Sequence, residues 1–277
     1  MTGGRLIVCP TPIGNLEDVT LRVLAALREA DVVACEDTRR TRVLLDRYGV
    51  KAKLVSYHEH NERARAAELA ERMRAGEVVA LVSDAGMPLV SDPGYLLVRA
   101  CVAAGLPVEV LPGPSAAITA LVASGLPADE WHFHGFLPRK KGELREVLAG
   151  GDSTLVAFES PRRLPATLAL LAEIDPEREV AVARELTKAH EEIVRGTAAE
   201  VATRYADGPP KGEIVLVIAP PATAGRGSSA EAPPDPAAVD ALRKLVDAGA
   251  HPRKAASVVA SLTGTSANAL YRALTSE

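Results

Sequence analysis

The stretch Ser83-Asp84-Ala85-Gly86-Met87-Pro88-Leu89-Val90-Ser91-Asp92-Pro93-Gly94 decides the fold class of this chain. It follows the apolar run 78–82, which is typical of a buried parallel strand, and it precedes a helical pattern over 95–104. The stretch is therefore predicted to be a loop at the carboxyl end of a strand, where open α/β sheets bind their ligands. Its two glycines and two prolines give the loop a defined shape with little side-chain bulk.

The segments around this loop alternate between strands and helices. In the first part of the chain, strands are predicted at 6–9, 31–35, 53–57, 78–82 and 108–111, and a helix is expected between each strand and the next. This alternation predicts a mostly parallel sheet with right-handed crossovers in a first α/β domain, residues 1–113. Thr20 is a plausible N-cap of the first helix.

A second α/β domain is predicted over residues 114–220. Its pattern is more mixed and allows antiparallel pairs; strands are predicted at 131–136, 154–158, 179–184 and 213–219. Residues 137–142 are interpreted as a basic loop, and helices are predicted at 115–124 and 161–173. A stretch rich in Pro, Ala, Gly and Ser then predicts a flexible linker over 221–236.

The tail, residues 237–277, shows three short helical patterns. The last two flank Thr263-Gly264-Thr265, a spacing that is typical of a helix-turn-helix-like unit. The tail is mildly basic, so both a helical cap on a partner and a nucleic-acid contact remain open.

Composition bounds the possible functions. The chain has 277 residues and a net charge of −4, which argues against a non-specific polyanion binder. Aromatic residues are only 3%, so single-strand-binding platforms built on aromatic stacking are not expected. The three cysteines are far apart and fit a reducing compartment. With no signal-peptide pattern and no membrane-length apolar run, a cytoplasmic protein is predicted.

Three loops that follow strands, at 10–15, 83–94 and 112–116, contain Gly and Pro but match neither G-x-G-x-x-G nor a P-loop. They suit a small polar cofactor without phosphates. The pairs His58/His60 and His132/His134 lack further ligands nearby, so no metal is expected. No G-x-S-x-G elbow is present.

Basic side chains cluster in three places that follow predicted strands. The clusters lie at 39–42, 139–141 and 162–163. Any one of them could simply be a solvent-exposed charged surface, whereas the three together allow contact with the phosphate backbone of a nucleic acid.

Several motifs, in order, resemble the bacterial ribosomal RNA small-subunit methyltransferase I family of tetrapyrrole-methylase-like (class III) methyltransferases. Besides the 83–94 loop, they are Pro10-Thr11-Pro12-Ile13-Gly14-Asn15-Leu16, Glu36-Asp37-Thr38-Arg39, Ser56-Tyr57-His58-Glu59-His60-Asn61-Glu62, Leu111-Pro112-Gly113-Pro114-Ser115-Ala116, Phe136-Leu137-Pro138, Phe158-Glu159-Ser160-Pro161-Arg162-Arg163, Arg184-Glu185-Leu186-Thr187-Lys188 and Lys211-Gly212-Glu213. The resemblance covers residues 5–220, and the helical tail is also similar to that of the family.

The resemblance implies two α/β domains with S-adenosylmethionine bound in the cleft between them, and a homodimer. It implies methylation of the ribose 2′-oxygen of a cytidine in the decoding region of 16S ribosomal RNA, in the small ribosomal subunit. It also implies the cofactor-binding residues Pro12, Ser83, Asp84, Ala85, Gly86, Ser115, Ala116, Phe158, Leu186, Gly212 and Glu213. Many of these contacts would be made by backbone atoms, which explains the small residues in the loops.

A ribose hydroxyl needs a general base, or a charge that stabilises its alkoxide. The candidates are Glu159, Asp37, Lys188, Glu59 and Glu185, and Glu159 is preferred because it follows a strand beside two arginines. Asp37 could instead be an N-cap, and Glu185 and Lys188 could form a structural ion pair. RNA phosphates are assigned to Arg39, Arg139, Lys140, Arg162 and Arg163.

Two alternatives remain at this point. One is a tetrapyrrole methyltransferase of the same fold, against which the basic loops argue. The other is a catalytically inactive ribosome-assembly protein, whose loops would not bind S-adenosylmethionine.

Overall fold

A computed structural model describes residues 3–221, 235–263 and 267–275. The chain divides into two compact units, residues 1–219 and 220–277. Most of the predicted linker, and Gly264 and Thr265 of the predicted turn, lie outside the described residues. Within the described ranges, no helix is both long and apolar enough to cross a bilayer.

The first sheet has five parallel strands in the order β3-β2-β4-β1-β5. The strands are β1 (Arg5–Cys9), β2 (Val32–Cys35), β3 (Leu54–Ser56), β4 (Val78–Val82) and β5 (Val108–Val110). The helices are α1 (Leu21–Glu29), α2 (Thr38–Arg47), α3 (Glu62–Arg74) and α4 (Tyr95–Ala103). Alternate side chains of β1, β2 and β4 enter two separate apolar clusters. Burial on both faces explains why these strands are continuous apolar runs.

The second sheet is mixed, with the order β6-β7-β10-β8-β9. Its strands are β6 (Trp131–Phe136), β7 (Thr154–Glu159), β8 (Glu179–Arg184), β9 (Glu192–Thr197) and β10 (Ile214–Ile218). Only β6 and β7 pair in parallel, which confirms that this part of the chain carries antiparallel pairs. Its helices are α5 (Ala116–Ser124), α6 (Lys141–Ala149), α7 (Leu164–Ile174) and α8 (Ala198–Arg204).

One helix and one strand in this part of the chain were not predicted. The basic segment 137–142 is only partly a loop, because α6 begins at Lys141 and buries Leu144 and Leu148. The edge strand β9 is only half-buried and contains Arg195 and Gly196, so its sequence lacks the apolar alternation of a strand. The α/β architecture itself is confirmed.

The C-terminal unit contains the three predicted helices, α9 (Pro236–Asp247), α10 (Pro252–Thr263) and α11 (Ala267–Thr275). They share a small apolar core that includes Leu242, Val259 and Leu270. Pro stands at the first position of α9, and Asp235 caps that helix by accepting a hydrogen bond from the Ala237 amide.

The 83–94 loop is fixed at both ends. At its start, Gly86 and Thr11 exchange two backbone hydrogen bonds of 2.8 and 2.9 Å, so this loop is paired with the loop that follows β1. At its end, Oε1 of Glu62 on α3 accepts hydrogen bonds from the Tyr57 hydroxyl (3.0 Å) and from the amides of Gly94 (2.9 Å) and Leu96 (3.2 Å). Glu62 thereby caps α4, whose own N-cap residue has no side chain.

Only glycine fits at the last residue of this loop. Gly94 has φ +141°, and a Cβ atom there would lie 2.6 Å from Cδ1 of Leu89 and 3.0 Å from Cδ2 of Leu81. Because residue 94 has no side chain, the backbone passes close to the apolar core where α4 begins. The Glu62 carboxylate accepts hydrogen bonds from the Gly94 and Leu96 amides at this point.

We expect Glu62→Ala to lower the free energy of unfolding by about 3 kcal/mol, because it leaves a buried tyrosine hydroxyl and two amides without an acceptor. Glu68→Ala is the matched control on the same helix. Its surface ion pair with Arg65 should contribute less than about 1 kcal/mol. Urea unfolding of both variants makes the measurement. Equal effects of the two substitutions would contradict the anchoring role of Glu62.

Candidate active site

A cavity of about 420 Å³ lies between the 83–94 loop, which we call the ligand loop, and the β7 and β10 strands of the second sheet. This volume is in the range of pockets that enclose a small-molecule ligand. The apolar part of its wall comes from both sheets and consists of Ile13, Met87, Val90, Phe136, Phe158, Leu186, Ile214 and Val215. The site is thus built from loops at the carboxyl ends of parallel strands and from the face of a mixed sheet.

Most residues that were predicted to bind the cofactor line this cavity. They are Asp84, Ala85, Gly86, Ser115, Ala116, Phe158, Leu186, Gly212 and Glu213. They are brought together from five separate segments, and their roles as ligand contacts stay predictions. Gly86 and Gly212 have φ of +76° and +101°, respectively, a region in which glycine is favoured.

Pro12 and Ser83 are placed differently from this prediction. They line a separate, smaller cavity of about 60 Å³ beside α2 and are not part of the wall of the larger one. The buried hydroxyl of Ser83 donates to the carbonyl oxygen of Gly86 (3.1 Å), and its own carbonyl accepts from the Thr11 hydroxyl (3.0 Å). These contacts give Ser83 a role in shaping the loop.

Three carboxylates, Glu36, Asp84 and Asp92, line one side of the cavity together with Arg40. Asp84 accepts the Asp37 amide (3.0 Å) and lies 3.4 Å from the Arg40 guanidinium. Burial, followed by the charge of Asp84, raises the pKa of Glu36. Burial, followed by the charge of Glu36, raises the pKa of Asp92 to about 6, although a hydrogen bond with Ser83 opposes the shift. Neighbouring acids with raised pKa values in a cavity are typical of a functional site.

Sequence analysis did not select Glu36 or Asp92 as site residues. Strand order could have indicated these two residues. Glu36 follows β2 and Asp92 lies in the loop after β4, and these two strands are neighbours in the sheet. Parallel strands end at the same edge of a sheet, so their following residues meet there.

Glu159 lines the cavity, but its carboxylate is enclosed by the second sheet. Oε1 accepts the Ser160 amide (2.6 Å), Oε2 accepts the Thr167 hydroxyl (2.7 Å), and the Arg163 guanidinium lies 3.4 Å from Oε2. The side chain of Glu159 has no exposed surface. This arrangement favours a structural role, in which Glu159 joins the end of β7 to α7.

Asp37 and Lys188, the other predicted catalytic residues, do not line the cavity. Asp37 is the N-cap of α2, where it accepts the Arg39 amide (2.8 Å); hydrogen bonds from Arg39 lower its pKa to about 2. The Lys188 ammonium lies 2.7 Å from Oε1 of Glu185 and 2.9 Å from Oε2 of Glu213. The cap and the ion pair that were open as alternatives are therefore present.

The predicted RNA-binding residues fall into two groups. Arg39, Arg139, Lys140 and Arg162 are exposed, although Arg39 pairs with Asp37 and Lys140 with Glu143. Arg163 is different, since its guanidinium donates to the carbonyl oxygens of Leu137 (3.0 Å) and Pro138. Arg163 therefore ties the loop after β6 to the loop after β7 and has a structural role.

Comparison with known proteins identifies the family. Residues 5–202 match the family model "Tetrapyrrole (Corrin/Porphyrin) Methylases". The chain is 48% identical over 275 residues to "Ribosomal RNA small subunit methyltransferase I" of Mesorhizobium japonicum, covering 97% of this chain and 90% of that protein. The protein of the same name from Escherichia coli O157:H7 is 43% identical, with 97% and 94% covered.

A solved structure shares the fold. It is uroporphyrin-III C-methyl transferase from Thermus thermophilus complexed with S-adenyl homocysteine, with a TM-score of 0.54 and 23% identity, covering 78% of this chain and 97% of that chain. At this identity the likeness shows the fold alone. The family model and the extensive identity to the curated relatives together show that this chain belongs to the ribosomal RNA small subunit methyltransferase I family of the tetrapyrrole methylases.

Proposed function

We propose that this protein transfers a methyl group from S-adenosylmethionine to the ribose 2′-oxygen of a cytidine in the decoding region of 16S ribosomal RNA. S-adenosylmethionine is the methyl donor of this family. The observation that carries the proposal is the cavity between the two sheets, which combines small residues, apolar side chains and carboxylates. Family membership supports RNA of the small ribosomal subunit as the substrate.

The cavity fits this cofactor in its charges as well as its walls. Of the described residues that line it, Arg40 is the only cation, whereas five are acidic: Glu36, Asp84, Asp92, Glu159 and Glu213. Burial, followed by the charges of neighbouring acids, raises the pKa values of Glu36 and Asp92, and a bound sulfonium cation would offset the repulsion among these acids. Ala85, Gly86, Ala116 and Gly212 would let the ligand approach the backbone closely.

The cofactor supplies an electrophilic methyl group, and the protein must place the ribose oxygen in line with it. We propose Asp92 as the group that accepts the proton of the 2′-hydroxyl. Asp92 lines the cavity, and its raised pKa makes it a stronger base than an ordinary aspartate while it remains ionised above about pH 6. Glu159 already accepts two hydrogen bonds and has no exposed surface, so it suits this role less well.

The exposed basic residues stay proposals for binding the phosphates of the RNA. Arg139 and Lys140 follow β6 closely, and Arg162 follows Pro161, which lines the cavity. A homodimer and a cytoplasmic location, where small ribosomal subunits assemble, are also part of the proposal. Light scattering of the purified chain tests the dimer.

The central prediction is methyl transfer. With labelled S-adenosylmethionine and small ribosomal subunits that lack the modification, we expect label on one cytidine ribose of the decoding region. Mass spectrometry of nuclease fragments locates the modified nucleotide. Label on a base or at another site would contradict the 2′-O assignment. Binding of the cofactor without label in RNA, with transfer to a porphyrinoid, would instead support a tetrapyrrole substrate.

We expect Asp92→Asn to lower kcat/KM by roughly 10²- to 10⁴-fold, the usual contribution of a general base. The wild-type rate should rise with pH and then level off, with an apparent pKa below the value of about 6 in the cofactor-free chain because the sulfonium cation favours the ionised carboxylate, and the variant should lose this limb. Glu159→Gln is the control, and it should turn over normally when saturated with cofactor. Normal turnover of Asp92→Asn, together with inactive but stable Glu159→Gln, would return the role to Glu159.

Asp92 should also make stability depend on pH. Its pKa is about 6 in the folded chain and near 4 in the unfolded one, so the native state loses stability as pH rises from about 4 to 6. Without cofactor, Asp92→Asn should therefore be more stable than wild type by about 1–2 kcal/mol at pH 7.5, with no such gain at pH 3.5; partial exposure limits the size. Urea unfolding at both pH values measures this. Asp207→Asn, in an exposed turn, should change stability by less than about 0.5 kcal/mol at either pH.

A further inference from the structure

The chain contains three phenylalanines, which pack together, and two of them, Phe136 and Phe158, line the cavity. The ring of Phe158 lies 5.0 Å from the ring of Phe133 and 5.4 Å from that of Phe136, in each case edge to face. Phe133 and Phe158 are partly buried in an apolar cluster. Phe136 is 64% exposed although it also lines the cavity. An aromatic ring is thus held by packing on one side and open to solvent on the other.

A β-bulge produces this arrangement. Residues three apart in a regular strand, such as Phe133 and Phe136, point to opposite faces of the sheet. In β6 the register shifts between Phe133 and Gly135, and Gly135 has φ +77°. The extra residue turns Phe136 toward the same neighbour as Phe133, and it pairs Phe136 directly with Phe158. Bulges that re-aim a side chain beside an active site are a recurrent device.

The ligand loop approaches β6 at this point. A Cβ atom on Gly135 would lie 3.4 Å from Oγ of Ser91. The residue before Ser91, Val90, lines the cavity and is exposed. Phe136 and Val90 therefore stand at the rim where the two sheets come together.

Basic residues lie in the two loops next to this rim. Arg139 and Lys140 follow Phe136 within the same loop, and Arg162 is in the loop after β7, which Arg163 ties to the loop after β6. Neither Arg139 nor Arg162 has an ion pair with another described residue. An exposed ring flanked by cations is complementary to a nucleotide, whose base stacks while its phosphates pair.

We propose that Phe136 stacks against the base of the target nucleotide when its ribose enters the cavity. This inference rests on the proposed function, because a 2′-hydroxyl can reach a methyl group in an enclosed site only if the nucleotide leaves its own stack. Stacking on Phe136 compensates for the lost base–base contact and holds the sugar at the mouth of the cavity. Since a ring face accepts any base, this contact positions the nucleotide without selecting it.

The test compares Phe136→Ala, Phe136→Leu and Phe136→Tyr in the full chain, with unmodified small ribosomal subunits as substrate. Loss of a base–aromatic stack should lower kcat/KM for the subunits roughly 5- to 150-fold in the Ala variant. The Leu variant should lose most of the same factor, and the Tyr variant should stay within about twofold of wild type. Val102→Ala, an exposed apolar residue on α4 (67%), is the matched control and should change nothing.

Two further measurements separate stacking from other roles. The Kd for S-adenosylmethionine, by calorimetry, should change less than twofold in every Phe136 variant. The dependence of RNA affinity on salt should keep its slope in Phe136→Ala, whereas Arg139→Ala should reduce the slope by about one.

Several outcomes would overturn the inference while the proposed function stands. They are a wild-type rate in Phe136→Leu, a parallel loss of cofactor affinity, or a change of molecular mass in light scattering, which would make Phe136 part of a subunit interface. If the wild-type protein itself transfers no methyl group to subunits, the proposed function fails, and this inference fails with it.

Discussion

A single carboxylate oxygen, Oε1 of Glu62, determines where the ligand loop ends and α4 begins. The same oxygen accepts the hydroxyl of the buried Tyr57, so the end of β3, the start of α3 and the start of α4 are fixed relative to one another. Burial, and then the hydrogen bond with Glu62, raises the pKa of Tyr57, which therefore remains a donor. Between this anchor and the backbone pair of Gly86 and Thr11, the loop has few ways to rearrange.

This double anchoring allows the middle of the loop to hold an unfavourable backbone. Leu89 and Ser91 have φ of +74° and +66°, and a non-glycine residue in this region costs free energy that the surrounding structure must supply. Ser91 directly precedes Asp92, and Leu89 lies three residues before it; burial, followed by the charges of Glu36 and Asp84, raises the pKa of Asp92. One short segment thus combines an unfavourable backbone conformation with a carboxylate of raised pKa, a combination that is typical of functional sites.

The sequence predicted the elements whose local signals are strong. The buried strands of the first sheet, the Thr20 cap, and the loops at 83–94 and 112–116 could be located because apolar runs end in Gly and Pro. The helix α6 and the strand β9 could not, since each is defined by what it packs on: Leu144 and Leu148 face the core of the second sheet, and β9 pairs along its length with β8. In the same way, spacing along the chain could not distinguish Asp92, which lines the cavity, from Asp37, which caps a helix.

The three phenylalanines are few in number but are placed together by strand pairing. An aromatic content of 3% argues against a surface of many stacking rings, but it does not exclude a single exposed ring beside a cavity. Phe158 is distant in the chain from Phe133 and Phe136, but the parallel pairing of β6 with β7 and the bulge next to Gly135 bring the three rings together. Two of these rings fix the third at the rim, and Arg163 holds the basic loops on either side of it. Glu36, Asp84 and Asp92 reach the cavity from loops that follow strands of the first sheet, whereas Phe136 and Phe158 belong to strands of the second, so the cavity is built from both sheets.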